Sequence, residues 1–179
     1  MKSSYKVSLG GVVGALSLVM MLLTSIVPFG TFAFPAFAGM MLISIVIELG
    51  YSWAFVVYGI VSTLSLLLLT DKEAALFYVA FLGFYPVIKG LIERLRSISI
   101  QYVLKYVVFN ICMVSAFFVS ILLMGIPKES FNLFGLYLPW VFLLLSNVAF
   151  IVYDLCVTKI VTYYLFKIHP ILSKNKTKL

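Results

Sequence analysis

The chain has 179 residues, 64% of them apolar and 11% charged, and its mean hydropathy of +1.17 excludes an ordinary water-soluble domain. Thirteen Lys and Arg against six Asp and Glu give a formal charge of +7. In so apolar a chain this excess is read by position along the membrane normal, and nucleic acid is not expected as a partner. At about 20 residues per crossing of a ~30 Å hydrocarbon layer, the apolar residues supply roughly five or six spanning helices and leave no connection long enough for a soluble catalytic domain.

In chain order, the first helix is predicted over Val7–Ile26, ended by Pro28-Phe29-Gly30, because Pro disfavours helix in the residue before it. The second runs from Pro35, a good first-turn residue, to Leu49. Gly50-Tyr51-Ser52 leads to a third helix over Trp53–Leu69, closed by the polar run Thr70-Asp71-Lys72-Glu73. The fourth covers Ala74–Leu91 with Pro86 in its inner part, where a kink is expected. The fifth covers Ile100–Met124 and stops at Gly125-Ile126-Pro127-Lys128-Glu129. The sixth is expected over residues 137–157, with Pro139 in its first turn, before a basic tail. The expected fold is a single all-α domain over residues 1–179, a bundle of six transmembrane helices.

Basic residues mark the cytoplasmic side. On this model Lys2, Lys6, Lys89, Arg94, Arg96, Lys105, Lys159, Lys167, Lys174, Lys176 and Lys178 fall on one side, and only Lys72 and Lys128 on the other. Eleven against two predicts both termini in the cytoplasm and a multi-pass protein of the cell membrane. Lys2 and Lys6 before an apolar run, with Ala36-Phe37-Ala38 further on, imitate a secretory signal. The apolar stretch is longer than a signal core, and cleavage would cut the second helix, so the segment is read as retained. Tyr51, Trp53, Tyr102, Tyr106, Tyr163 and Tyr164 fall at the inner boundary; Phe29, Phe32, Phe34, Tyr137 and Trp140 fall at the outer one. Such rings form a membrane belt, and the outer set is also what a flat ligand would stack on.

Material for catalysis is scarce. His169 is the lone histidine, and Cys112 and Cys156 lie in apolar runs, where a thiol behaves as a small hydrophobe. No spacing suits a metal, no Gly-rich stretch ends in Lys-Ser or Lys-Thr, and no serine has a base to activate it. Tyr153-Asp154 lacks the second membrane carboxylate of an intramembrane aspartyl protease, since Asp71 falls in a loop. Neither enzymatic activity nor a cofactor is expected. Asn110 and Asn147, near the middles of the fifth and sixth helices, either bond each other and hold the bundle or bind a ligand as a pair of amides. Glu48, the Lys89–Glu93 pair, Asp154 and Lys159 are read as interfacial or orienting charges.

Gly10-Gly11-Val12-Val13-Gly14-Ala15 in the first helix places Gly10 with Gly14, and Gly11 with Ala15, four residues apart, lining a face that another helix can approach closely. In length, helix number, charge distribution and this motif the chain resembles the substrate-binding S-components of energy-coupling-factor vitamin importers. Those proteins carry an Ala-x-x-x-Ala face on the first helix, and Gly replaces its first Ala here. The resemblance implies docking through Gly10, Gly11, Gly14 and Ala15 on a transmembrane coupling subunit served by paired ATPases. It also implies an outward pocket for a vitamin or similar small molecule, which maps onto Phe32, Phe34, Tyr78, Tyr137, Trp140 and Asn147, with Asn110 as the second amide. Membrane lipid is the remaining partner. The rival readings are a self-sufficient secondary carrier or channel, against which stand the small helix number and the absence of a visible repeat, and a non-transport membrane scaffold.

Overall fold

A computed structural model describes residues 3–27, 30–123, 132–133, 136–137 and 139–171. The expected stop at Pro28 and Phe29, the connection 124–131 with Lys128, and the tail with Lys174, Lys176 and Lys178 lie outside the described residues.

Among the described residues seven α-helices follow one another: α1 (Ser3–Leu23), α2 (Ala33–Leu49), α3 (Tyr51–Leu68), α4 (Lys72–Phe77), α5 (Tyr85–Ile92), α6 (Ile98–Leu123) and α7 (Pro139–Tyr163). A π-helical turn, Tyr78–Leu82, joins α4 to α5, so these three pieces form one crossing and the bundle has six. Among the described residues five crossings are long and apolar enough to span a membrane. The sixth, α2, has 17 residues, about 25 Å at 1.5 Å per residue. The protein is an all-α, multi-pass membrane bundle, with one two-residue antiparallel pairing of Asn132–Leu133 with Leu136–Tyr137.

Two apolar clusters share α2. One joins it to α1, α3 and α4 through Val13, Met21, Leu42, Ile45, Val57 and Val61. The other joins its opposite face to the fourth crossing, α6 and α7 through Ile43, Phe81, Tyr85, Phe109, Phe150 and Tyr153. Phe81 is the hub, its ring centroid 4.6 Å from Tyr85, 5.1 Å from Phe109 and 5.6 Å from Phe150. The outward faces are apolar as well, with Val12, Val19, Val107, Ile111, Leu144 and Val148 exposed. Water would penalise that arrangement, whereas lipid accepts it as long as backbone hydrogen bonds close within each helix.

Several boundaries differ from the sequence expectation. α1 starts at Ser3 and stops at Leu23, where the Thr24 hydroxyl donates to the Met21 carbonyl in a closing turn. Lys72 and Glu73 belong to α4, because Asp71 accepts from the Ala74 N–H as an N-cap. α7 begins at Pro139, with Tyr137 in the short strand, and it does not end near residue 157. Polar Thr158 and Thr162 turn their hydroxyls back onto carbonyls four residues earlier, and helix continues through the π turn Tyr164–Ile168 to residue 171.

The expected kink at Pro86 is a broader break. Pro86 has no N–H to offer the Leu82 carbonyl one turn earlier, and Tyr153 of α7 donates its hydroxyl there at 2.9 Å. Within the π turn the Gly83 N–H reaches back to Tyr78, and the Val79 carbonyl accepts from Tyr58 of α3 at 2.7 Å. Side chains from neighbouring helices thus satisfy the carbonyls that the irregular turn releases, as an apolar solvent requires. Gly39 of α2 lies against the same place: a Cβ there would stand 2.0 Å from the Leu82 carbonyl oxygen.

The ends of α1, α2 and α7 that carry Tyr5, Glu48 and Tyr164 meet at one end of the bundle, termed here the terminal end. At the opposite end Thr31 donates to Asp71 at 2.9 Å and Phe32 packs on Phe77, tying the α1–α2 connection to α4.

Candidate functional site

The residues expected to wall a ligand pocket have different neighbours. Phe32 is 62% exposed, with its ring 4.8 Å from that of Phe77. Phe34 lies over Gly30, whose position has no room for a Cβ beneath the ring. Tyr78 is fully buried against Tyr58, its hydroxyl without a hydrogen-bond partner. Trp140 is 73% exposed at the start of α7. The Tyr137 side chain lies outside the described residues.

Asn110 and Asn147 are brought together. Each amide donates to the other's carbonyl oxygen at 3.0 Å, and each also donates to a carbonyl one turn back on its own helix, Tyr106 at 2.9 Å and Leu143 at 2.8 Å. This geometry ties α6 to α7. Asn147→Leu leaves Asn110 with an unmatched carbonyl between α6 and α7, and is expected to lower stability by about 1 kcal/mol, read from thermal unfolding of the purified protein.

A second polar constellation lies toward the terminal end and joins α5, α6 and α7. Lys89, 2% exposed, pairs at 2.9 Å with Glu93, the residue that caps the end of its helix, and with Asp154 of α7. Lys105 of α6, also buried, lies 2.7 Å from Glu93 and 3.3 Å from Asp154. Tyr85 donates its hydroxyl to Asp154. Two ammonium groups and two carboxylates thus form a closed ring in which each cation touches both anions, a neutral arrangement that tolerates a medium poor in water. The spacing of Lys89 and Glu93 announces a helix pair. That Lys105 and Asp154 complete it carries no local signal, because those residues lie 12 and 61 positions beyond Glu93.

At the same end the buried Glu48 carboxylate of α2 accepts from the Tyr164 hydroxyl at 3.4 Å and lies 2.8 Å from His169 Nδ1. Among the described residues no three His, Cys, Asp or Glu side chains gather as metal ligands.

The small-residue motif of α1 divides in two. Gly10 and Gly14 face α3, where an added Cβ would meet Val57 at 3.4 Å. Gly11 has nothing within 4 Å of an added Cβ, and Ala15 beside it is exposed. These residues, with Leu18, Trp53, Val56 and Ile60, line an apolar groove of about 400 Å³ between α1 and α3. Compared with protein-family models, with curated proteins and with solved structures, the chain finds no match.

Proposed function

We propose that the chain is a substrate-binding membrane subunit of the energy-coupling-factor type. It captures a vitamin or other small micronutrient at the outer face, with both termini cytoplasmic, and passes it through a coupling subunit driven by paired ATPases in other chains. The observation that carries this reading is the division of the α1 motif: Gly10 and Gly14 serve packing within the bundle, while Gly11 and Ala15 stay uncovered along an apolar groove that a second membrane helix could enter. The eleven-to-two distribution of Lys and Arg supports the orientation.

The double variant Gly11→Leu with Ala15→Leu tests the proposal, since both positions have room for bulk in the isolated protein. It is expected to fold normally, yet to lose co-purification with a coupling module and ATP-dependent uptake. A variant that still assembles and transports would remove the proposal's main support. A self-sufficient carrier is the second reading, favoured by the charged ring between α5, α6 and α7, since ionisable groups within spans mark transport pathways in many membrane proteins. Uptake into liposomes containing this chain alone would favour it.

A further inference from the structure

We infer that the ring formed by Lys89, Glu93, Lys105 and Asp154 is a latch that holds α5 against α6 and α7, and that its release lets α5 swing about Gly83–Phe84. The inference concerns the mechanics of the bundle and rests on neither transport reading.

Two independent features coincide on α5. The first is a break at its start. The carbonyls of Val79 and Leu82, which would extend a regular ladder toward α5, are taken by Tyr58 and Tyr153, and Pro86 contributes no N–H. The backbone on either side is therefore coupled more weakly than within an unbroken helix. Hinges are a few residues at element ends that absorb such a rotation. The second feature is the concentration of long-range polar ties on the same short helix. Tyr85 and Lys89 belong to α5 and Glu93 caps its end, and their partners Lys105 and Asp154 belong to α6 and α7. The two α5 residues and the cap residue recur at four-residue spacing, so they form one stripe facing those helices.

Buried ion pairs contribute little net stability relative to apolar packing, and a register or switch role is their best-attested use. Here the ring is reachable: Glu93 is 38% exposed while Lys89 is 2% exposed, so the bridging carboxylate is the member that water approaches first. Loss of one carboxylate leaves two neighbouring ammonium groups sharing one anion, and the repulsion is relieved when α5 moves away. Elsewhere α1, α2 and α3 meet one another through Val13, Met21, Leu42, Val57 and Val61; Val87 of α5 packs into the same cluster, so opening at α5 removes that side chain and leaves the contacts among α1, α2 and α3 in place.

The test is thiol alkylation by a water-soluble maleimide in purified full-length protein in which Cys112 and Cys156 are replaced by Ser. Ile92→Cys places a probe at the buried end of α5, and Val57→Cys places a control in the α1–α3 cluster. Asp154→Asn is expected to accelerate alkylation of the Ile92→Cys thiol at least about tenfold and leave the Val57→Cys thiol unchanged, because local opening then requires less free energy than global unfolding. The paired variant Lys89→Leu with Asp154→Leu, which removes one charge of each sign and leaves Lys105 paired with Glu93, is expected to restore slow alkylation. Unchanged reactivity at position 92, or equal acceleration at both positions, overturns the latch. Should Asp154→Asn fail to fold, Glu93→Gln gives the same comparison with the deeper carboxylate in place. A position-92 acceleration alone supports the inference, and its absence defeats it.

Discussion

Asp154→Leu is expected to destabilise the protein by about 3 to 5 kcal/mol, the range for breaking a buried pair by removing one partner. Lys89 and Lys105 are both buried, and the substitution leaves them sharing Glu93 as their remaining carboxylate. It also removes the acceptor of the Tyr85 hydroxyl. The sign of the effect then depends on the partner's charge. Lys89→Leu in the Asp154→Leu background removes the surplus cation and leaves Lys105 paired with Glu93, so the double variant is expected to recover most of the loss. Thermal unfolding of the four proteins in one detergent provides the cycle. A loss for Asp154→Leu below about 1 kcal/mol would place the pair in the class of solvent-exposed ion pairs.

The parts of this fold legible in the sequence are those written in hydropathy. Apolar runs long enough to cross a bilayer have few alternatives to helix, and five of the six crossings follow from that, while the shorter α2 is legible from its apolar run between Pro35 and Gly50. Boundaries were less legible, because a cap or a back-bonded hydroxyl decides them and either can absorb charged residues into a helix. Asp71 does so at the start of α4, and Thr158 does so within α7. Pro86 announced an irregularity, but its position could not reveal that Tyr58 and Tyr153 would supply the missing hydrogen bonds. That Asn110 and Asn147 reach each other depends on the crossing geometry of α6 and α7, which no local pattern carries. Long-range polar clusters leave the least trace: Glu48 with His169, or Asp154 with Lys89, are pairs separated by 121 and 65 residues.

Gly39→Ala is the smallest substitution with a large expected effect. The added Cβ would lie 2.0 Å from the Leu82 oxygen, 2.9 Å from its carbonyl carbon and 3.2 Å from the Gly83 Cα, all backbone atoms that no rotamer change can move aside. α2 and the fourth crossing must therefore separate, and both apolar clusters run through α2. The Leu82 carbonyl also accepts the Tyr153 hydroxyl, so movement at this point strains the tie that closes the helix break. The expected cost is about 3 kcal/mol or more, at the upper end for overpacking, because rigid backbone stands on both sides of the contact. Gly59→Ala is the matched control, since its added Cβ meets nothing within 4 Å, and its effect should stay within about 0.5 kcal/mol. Equal melting temperatures for the two variants would mean that α2 and the fourth crossing do not approach at Gly39 as closely as described.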